Sequence, residues 1–428
     1  MLFHLGAPRK CQAGGVSAMN LLFVHQNMPG QFRHLIAAAA ASGAHRVVCL
    51  GMRSDFALPS VGRVVYQLPD TPANAAHHPY LAATHDAVRH GQQAARASAI
   101  LARNGFRPDL VVAHPGWGES LYIKEVFPAV PLLHYCEWYY HTRGADTNFD
   151  PAFQQDMEAN CAVLTRNAHL LLGLEACDWG MAPTAWQKAQ HPAAFHDKIS
   201  VAFDGIDTEA AAPDPSARFR LPDGRMLAPG DEVVTYVARS LEPYRGFPSF
   251  MRALPDILRR RPAAIVLVAG SDAISYGRPP PDGGSWRQAL AAELTVDPAR
   301  VIFLGRIPRA EYLRLLRVSA AHVHLTVPFV LSWSMLEAMA AGCLVIGSAT
   351  PPVQEVIQDG RNGLLADFFS PSVIADRVVE ALAHGPRFAA QRQAARWTVL
   401  SRYSLDRCVP RQLALLETLA AGRRPTLS

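Results

Sequence analysis

From Met19 onwards, short apolar runs alternate with longer stretches that carry apolar residues at helical spacing. This alternation is typical of β-α-β units, in which parallel strands are covered by helices on both faces. The pattern predicts strands at residues 20–25, 46–50, 109–113, 131–135, 169–174 and 198–203, and helices near residues 31–42, 82–104, 118–126 and 151–166.

The alternation is interrupted between residues 204 and 231 by a stretch rich in Pro, Gly and Asp. Such a stretch offers few side chains that can pack, so it marks a domain boundary. Beyond it we predict strands at residues 232–238, 263–269, 300–304, 321–325, 343–347 and 363–366, and helices such as 309–319 and 371–384. Two doubly wound α/β domains in tandem account for the 428 residues.

The predicted domain limits follow from these breaks. We expect a disordered extension at residues 1–18, a Rossmann-like domain at 19–208, a linker at 209–231, a second Rossmann-like domain at 232–386, and helices at 387–428 that pack back across the molecule.

One segment without charged residues, 318–336, is long enough to raise the question of a membrane span. It contains His322 and His324 and runs into Glu337, so a buried strand, a loop and a helix explain it better.

The charge excludes some classes of protein. The 41 Lys and Arg residues against 36 Asp and Glu residues give +5 with a single basic run, at residues 259–261, which is too little for a dedicated nucleic-acid binder. No Lys follows Lys198, so an anion site in the second half must use Arg. The seven Cys residues are scattered and form no C-x-x-C pair, which favours a reducing cytoplasm over a disulfide framework.

Ligands of open parallel sheets bind at the carboxyl ends of the strands, near helix N-termini. With two sheets facing each other, we expect the site in the cleft between them. The turn after strand 20–25 contains Gly30, which can adopt φ > 0 and let the backbone approach a phosphate, although an ordinary βα turn is an equal alternative. The three-glycine dinucleotide fingerprint is missing, so an NAD site is disfavoured.

Two further strand ends in the first half are followed by candidate site residues. His114 follows strand 109–113 and is succeeded by Trp117, and Glu137 follows the next strand in an aromatic-rich loop. Aromatic faces with a carboxylate suit sugar rings and their hydroxyls, but a buried aromatic cluster is nearly as good an interpretation.

In the second half, Arg239 and Arg245 flank the end of the first strand. Two guanidinium groups six residues apart can converge on a diphosphate, and the alternative is that either is solvated at the surface. Farther on, Ser334 and Glu337 have the spacing of a capping box, which gives Glu337 a structural role. A carboxylate in the first turn of a helix can equally accept hydrogen bonds from ribose hydroxyls.

Together these elements resemble the family 4 glycosyltransferases, which are retaining, sugar-nucleotide-dependent enzymes of the GT-B fold. The resemblance runs from Met19 to about residue 421 and is most specific at residues 321–366, which contain LEAMAAGCLVIGS and PPVQEVIQDGRNGLL. It implies two Rossmann-like domains facing each other across a cleft, an N-terminal domain for the acceptor and a C-terminal domain for the donor nucleotide.

The resemblance also implies roles for particular residues. Glu337 would bind the ribose hydroxyls, Arg239 and Arg245 the diphosphate, Gly30 would face the same phosphates, and His114 would touch the transferred sugar. The residues expected at the site are Arg239, Arg245 and His114 for catalysis, Gly30, Ser332, Ser334, Met335, Leu336 and Glu337 for the donor, and Glu137 and Trp117 for the acceptor or the sugar.

One position departs from the family pattern. Phe329 stands where the family usually has a glutamate that contacts donor-sugar hydroxyls, and Ser332 replaces the usual glycine at the helix entry. The sequence therefore identifies neither the donor sugar nor its nucleotide. A non-catalytic sugar-nucleotide or glycan-binding protein of the same fold is the principal alternative, and an epimerase or a nicotinamide oxidoreductase is less favoured.

The expected chemistry needs neither a metal nor a cofactor, since no Asp-x-Asp motif lies near a strand end. Arginines and helix N-termini would stabilise the leaving diphosphate in a front-face substitution. The expected partners are a nucleotide-sugar donor and a glycan, lipid-linked or small-molecule acceptor, without nucleic acid. We expect a cytoplasmic protein that can rest peripherally on an anionic membrane.

Overall fold

The structure, a computed structural model, describes residues 3–4, 18–53, 55–56, 58–70 and 78–426. Within this part of the chain, residue contacts define two compact units. The first comprises the chain up to Gly205 together with the segment from Leu405 onwards, and the second comprises Ile206–Ser404.

The first unit is a mostly parallel sheet with helices along the intervening chain. Its strands are β1 (Phe3–His4), β2 (Asn20–Val24), β3 (Arg46–Gly51), β4 (Val61–Val65), β5 (Leu110–Ala113), β6 (Leu132–Tyr135), β7 (Trp179–Ala182) and β8 (Ile199–Val201). The helices are α1 (Arg33–Ala41), α2 (Ala82–Arg103), α3 (Ile123–Val126), α4 (Met157–Arg166), α5 (Ala168–Ala176) and α6 (Ala185–Ala189).

The strand order of this sheet is β1-β4-β3-β2-β5-β6-β7-β8, and within this sheet, as far as it is described, only the β1–β4 pair is antiparallel. Strands β2, β5 and β6 are almost entirely buried, as expected for parallel strands covered on both faces. The chain order reverses direction beside β2, where β3 lies on one side and β5 on the other.

The second unit contains a six-stranded parallel sheet with the order β13-β12-β11-β14-β15-β16. Its strands are β11 (Val233–Ser240), β12 (Ile265–Ser271), β13 (Val301–Gly305), β14 (Ala321–His324), β15 (Leu344–Ser348) and β16 (Leu364–Ala366), preceded by the hairpin β9 (Phe219–Arg220) and β10 (Met226–Leu227). The helices are α7 (Phe247–Arg260), α8 (Trp286–Glu293), α9 (Arg309–Val318), α10 (Trp333–Ala340), α11 (Pro351–Gln354), α12 (Pro371–Ala383) and α13 (Ala389–Arg402).

The chain returns to the first unit with α14 (Leu405–Ala420). Leu416 and Leu419 of this helix lie in the same core cluster as Ile36 of α1 and Leu133 of β6. The predicted tail at residues 387–428 is therefore divided, because α13 belongs to the second unit and α14 to the first.

Three sequence expectations differ from the structure. The segment 169–174 is helical, within α5, and not a strand; its buried residues His169, Leu170, Gly173 and Leu174 follow helical spacing, which a short apolar run does not reveal. The expected linker 209–231 contains the β9–β10 hairpin, whose Phe219 is buried, and belongs to the second unit.

The third difference concerns the start of the chain. The expectation of an extension outside the fold at residues 1–18 falls mostly outside the described residues. Within it, the backbone of β1 pairs with β4, which adds an edge strand to the first sheet.

The uncharged segment 318–336 behaves as predicted. It consists of the end of α9, the buried strand β14, a loop and the start of α10.

The packing of α14 generates a prediction about stability. Truncation of the fully buried Leu416 to Ala should lower the free energy of unfolding by about 2–5 kcal/mol, because it removes methyl groups and leaves a cavity in the core. Urea denaturation followed by circular dichroism measures this loss. The control Leu172→Ala truncates a leucine that is 61% exposed on α5 and should change stability by less than about 0.5 kcal/mol. Equal losses in the two variants would contradict the place of α14 in the core.

Candidate functional site

A cavity of about 300 Å³ lies at the carboxyl ends of strands in the second sheet. Four residues singled out from the sequence line it: Arg239, Arg245, Ser332 and Ser334. The rest of its lining consists of Tyr236, Val237, Ala238, His324 and Leu325. The structure thus brings the arginine pair after β11 together with the start of α10, although some 90 residues separate them in sequence.

The two arginines line the cavity in different ways. Arg239 is exposed at the end of β11, and no hydrogen bond or ion pair holds its guanidinium within the described part of the chain. Arg245 lies in a 3-10 turn, and its Nη1 donates to Thr326 Oγ1 at 3.0 Å. The next residue, Gly246, has φ +64°, and a Cβ there would stand 2.5 Å from Leu325. Glycine is therefore required where this turn enters α7.

The start of α10 excludes the capping box. Ser332 is the N-cap, without a side-chain cap bond, and its hydroxyl meets that of Ser334 at 2.8 Å. Ser334 is then the second helical residue, which places Glu337 beyond the first turn. Met335 and Leu336 are fully buried, backbone included, and the residues of this helix start that line the cavity are Ser332 and Ser334. Donor contacts of Met335 and Leu336 stay predictions.

Glu337 is a buried carboxylate with two partners from α9. Its Oε2 accepts a hydrogen bond from the Tyr312 hydroxyl at 2.8 Å, and its Oε1 lies 2.5 Å from Arg309 Nη2. Burial, together with the charge of Glu337, raises the pKa of Tyr312 well above its usual value, so this hydroxyl stays protonated. Each carboxylate oxygen has two lone pairs, so both can still accept a further hydrogen bond.

In the first unit, hydrogen bonds connect His25, Gln31, Glu137 and His114 into what we call the polar chain. His25 Nδ1 accepts from the Asn27 N–H at 2.9 Å, which leaves the proton of the neutral ring on Nε2, facing Gln31 Oε1 at 2.8 Å. Gln31 Nε2 donates to Glu137 Oε1 at 2.6 Å. His114 Nε2 lies 3.1 Å from Glu137 Oε2. Glu137 is thus the common acceptor of the polar chain.

Short turns hold both histidines of the polar chain in place. The Gly116 N–H donates to His114 Nδ1 at 3.0 Å, so the Nε2 of His114 carries the proton that faces Glu137. Gly30 has φ +50°, and a Cβ there would stand 2.4 Å from the His25 ring. Gly30 was expected to face a phosphate. Glycine is required here, first of all, because the His25 ring packs against this position.

Trp117 packs with these two histidines. Its ring centroid lies 4.7 Å from that of His114 and 5.0 Å from that of His25. The tryptophan is half-buried, so part of its surface remains accessible. The structure therefore groups three expected site residues of the first unit, His114, Trp117 and Glu137, around one polar chain, and their contacts with a sugar remain predictions.

Burial and hydrogen bonding set the charges of the polar chain. Burial lowers the pKa of His25 from 6.5 to about 3, with a further lowering from His114. Burial by itself raises the pKa of Glu137, but the hydrogen bonds from His114 and Gln31 outweigh it and lower that pKa. At neutral pH the polar chain therefore holds a neutral His25 and an ionised Glu137.

Two family models match this chain and divide it much as the structure does. The model described as "Glycosyl transferase family 4 group" matches residues 43–211, and that described as "Glycosyl transferases group 1" matches residues 231–384. The chain belongs to the family 4 glycosyltransferases of the GT-B fold.

Curated relatives of this chain are similar over part of their length. A GDP-mannose-dependent alpha-(1-6)-phosphatidylinositol monomannoside mannosyltransferase of Mycolicibacterium smegmatis is 29% identical over 237 residues, which are 51% of this chain and 55% of the relative. A D-inositol 3-phosphate glycosyltransferase of Nocardioides sp. is 29% identical over 229 residues, 49% of this chain and 48% of the relative. The chain thus spans about half the length of the curated relatives it matches.

Solved structures share the fold of this protein over nearly the whole chain. Anabaena HepE in complex with UDP-glucose superposes with a TM-score of 0.65 at 16% identity, covering 94% of this chain and 100% of the other. Sucrose-phosphate synthase of Thermosynechococcus elongatus gives a TM-score of 0.68 at 17% identity and covers 94% of this chain. At such identities the likeness shows the fold alone.

None of the helices described is both long and apolar enough to cross a membrane. No group of three or more His, Cys, Asp or Glu side chains in the described ranges is arranged to hold a metal ion. Metal-independent catalysis nevertheless stays a prediction.

Sequence reasoning missed several residues that the structure places at these sites. Gln31 joins His25 to Glu137, Arg309 and Tyr312 hold Glu337, and His324 lines the arginine cavity. Of these residues, only His324 had a sequence signal, because it is the last residue of a buried strand. The others come from helices or turns, where no spacing reveals which distant residue they contact.

The burial of His25 generates a prediction about pH. We expect His25 to stay neutral from pH 8 down to about pH 4, since its pKa of about 3 lies well below the usual 6.5. An unfolded chain protonates this histidine near pH 6.5, so the stability gained from keeping it neutral is complete above pH 6.5 and is lost as the pH falls towards 3. Two-dimensional NMR of the histidine Cε1–H groups, assigned with His25→Gln, follows the titration. A midpoint near 6.5 for His25 would contradict its burial.

Proposed function

We propose that this protein transfers a sugar from a nucleoside-diphosphate sugar to a hydroxyl group of a glycan, lipid-linked or small-molecule acceptor. The observation that carries the proposal is the convergence of Arg239 and Arg245 with the start of α10 on one cavity. Two guanidinium groups that have no carboxylate partner among the described residues, beside the N-terminus of a helix, suit a diphosphate.

The reaction we propose is a front-face substitution that retains the anomeric configuration. The bond from the anomeric carbon to the diphosphate oxygen breaks as the acceptor oxygen bonds to the same face of that carbon. The acceptor proton passes to the departing phosphate, so no protein nucleophile is needed. Arg239, Arg245 and the free N–H groups of α10 would stabilise the charge that develops on the leaving diphosphate, without a metal ion.

The remaining site residues fit supporting roles in this reaction. Glu337, oriented by Arg309 and Tyr312, is proposed to accept hydrogen bonds from the ribose hydroxyls. In the first unit, the ionised Glu137 and the neighbouring Trp117 and His114 offer a carboxylate and an aromatic face to sugar groups.

A direct test measures nucleotide binding and transfer together. Isothermal titration with UDP, GDP and ADP should reveal binding of at least one, and the corresponding sugar nucleotides should donate to acceptors that include phosphoinositides and inositol phosphates. The names of the M. smegmatis and Nocardioides relatives motivate GDP-mannose and inositol acceptors, and the HepE complex motivates UDP-glucose. Binding without transfer to any acceptor would favour a non-catalytic binding protein, and no binding at all would refute the proposal.

The diphosphate role of Arg245 generates a prediction about rate. Arg245→Ala should lower kcat about 100-fold to 1,000-fold, or about 2.7–4 kcal/mol in barrier, by analogy with the loss of one oxyanion donor. Steady-state kinetics at saturating donor measures the effect. Arg259→Ala removes the same charge from a strongly exposed position on α7 and should leave kcat unchanged. Near-normal turnover of the Arg245 variant at saturating donor would exclude this role.

A lipid-linked acceptor leads us to propose that the protein is cytoplasmic and rests peripherally on a membrane. The support is the net charge of +5 and the lipid acceptor named for the M. smegmatis relative. Co-sedimentation with phosphatidylglycerol vesicles should decrease as salt rises, whereas phosphatidylcholine vesicles should bind little. An absence of binding to the anionic vesicles at low salt would speak against membrane contact.

A further inference from the structure

Three aromatic side chains from three different strand-end loops meet beside Arg245. Tyr244 follows β11, Tyr276 follows β12 and Phe329 follows β14. The rings of Tyr244 and Tyr276 are stacked, with centroids 5.2 Å apart and an angle of 25°. Phe329 contacts both, at 5.4 Å from Tyr244 and 5.5 Å from Tyr276. We call these three side chains the aromatic cluster.

The guanidinium of Arg245 lies against the aromatic cluster. Its central carbon is 5.7 Å from the ring centroid of Tyr244 and 5.6 Å from that of Tyr276, within the range of a cation–π contact. Its Nη1 donates to Thr326. No carboxylate in the described ranges stands within 4.0 Å of this guanidinium. The group is thus oriented by neutral partners, and its charge is not neutralised.

Glu242, the nearest acidic residue in sequence, is engaged elsewhere. It is fully buried, and its Oε2 accepts from the backbone N–H groups of Ser275 at 3.1 Å and Gly277 at 2.9 Å. The N–H of Tyr276 points to both carboxylate oxygens at 3.3 Å. The carboxylate therefore fixes the backbone of the loop that carries Tyr276, while Tyr276 itself stays 46% exposed.

We propose that Tyr276 is a positioning residue for Arg245. Phe329 supports Tyr276 because it holds the two tyrosines in place, and it puts no carboxylate beside the guanidinium. The inference rests on the proposed function, since the ligand it implies is a phosphate with two or more negative charges bound by Arg245. A planar guanidinium can lie against aromatic rings and still present N–H groups to a phosphate, which an ammonium group does not do equally well.

A double-mutant cycle tests the coupling between the two side chains. Isothermal titration with inorganic diphosphate and with GDP gives Kd for the wild type, Tyr276→Ala, Arg245→Lys and the double variant. Each single change should weaken binding about fivefold, in the range of one cation–π contact. The double variant should be within about twofold of the weaker single variant, because the contact can be lost only once. Effects that multiply to about 25-fold would overturn the inference.

Conservative variants separate positioning from packing. Tyr276→Phe keeps the ring and should bind inorganic diphosphate within about twofold of the wild type, whereas Tyr276→Leu keeps apolar packing without a π face and should behave like Tyr276→Ala. Because the side chain is nearly half exposed, all three variants should melt within a few degrees of the wild type. If Tyr276→Leu binds as well as Tyr276→Phe, the inference is wrong.

Kinetics supply a second readout. Tyr276→Ala should raise the KM for the sugar nucleotide about fivefold and change kcat less, since the guanidinium is still present but is less well oriented. A loss confined to kcat would contradict positioning. Failure of the wild type to bind inorganic diphosphate, GDP or UDP would refute the proposed function itself, whereas binding with an additive cycle would refute only the role of Tyr276.

Discussion

The parallel direction of all six strands in the second sheet is the constraint on which its site depends. Parallel strands place all their carboxyl ends at one edge, and each must be followed by a loop that leads into a covering helix. The turn with Arg245, the loop with Tyr276 and the segment from Thr326 to Ser334 therefore emerge side by side. Residues far apart in sequence become neighbours because their strands are adjacent, and no specific contact between these residues is needed to bring them together.

At the edge of the sheet where the strands end, buried polar side chains hold neighbouring loops and helices in place rather than contact solvent. Glu242 binds three successive backbone N–H groups, and Glu337 accepts from Tyr312 and pairs with Arg309. Burying a carboxylate is costly unless it is hydrogen-bonded. Each of these carboxylates meets that requirement by ordering a loop or a helix pair, which leaves Arg239 and Arg245 as the groups with uncompensated charge beside the cavity.

The sequence was sufficient for the parts of the fold that depend on local pattern. The strands β2, β5, β6, β11, β12 and β14, and the helices α1, α2, α4, α9 and α12, follow directly from apolar runs and helical spacing. The sequence was insufficient where a short apolar run can form either a strand or a helix, as in α5. It was also insufficient where a strand is too short, or too mixed in apolar and other residues, to be recognised, as in β4 and β7. The arginine pair and the start of α10 were found because each follows a strand.

Other site features depend on contacts that no spacing encodes. Gly30 was singled out for a phosphate, yet the structure shows that a Cβ there would collide with the His25 ring. Phe329 was visible only as a departure from a family pattern, and its partners Tyr244 and Tyr276 emerged only when three loops were placed together. Such roles follow from tertiary packing, so they require the structure.

The return of α14 to the first unit has a consequence for how the chain is made. The chain leaves the first unit after Gly205 and re-enters at Leu405, where Gly205 packs against Leu405, so the second unit is an insertion between two parts of the first. During synthesis the first sheet emerges from the ribosome before the second unit, but Leu416 and Leu419 of its core emerge only after that unit. The second unit therefore has all its residues before the first unit can complete its core.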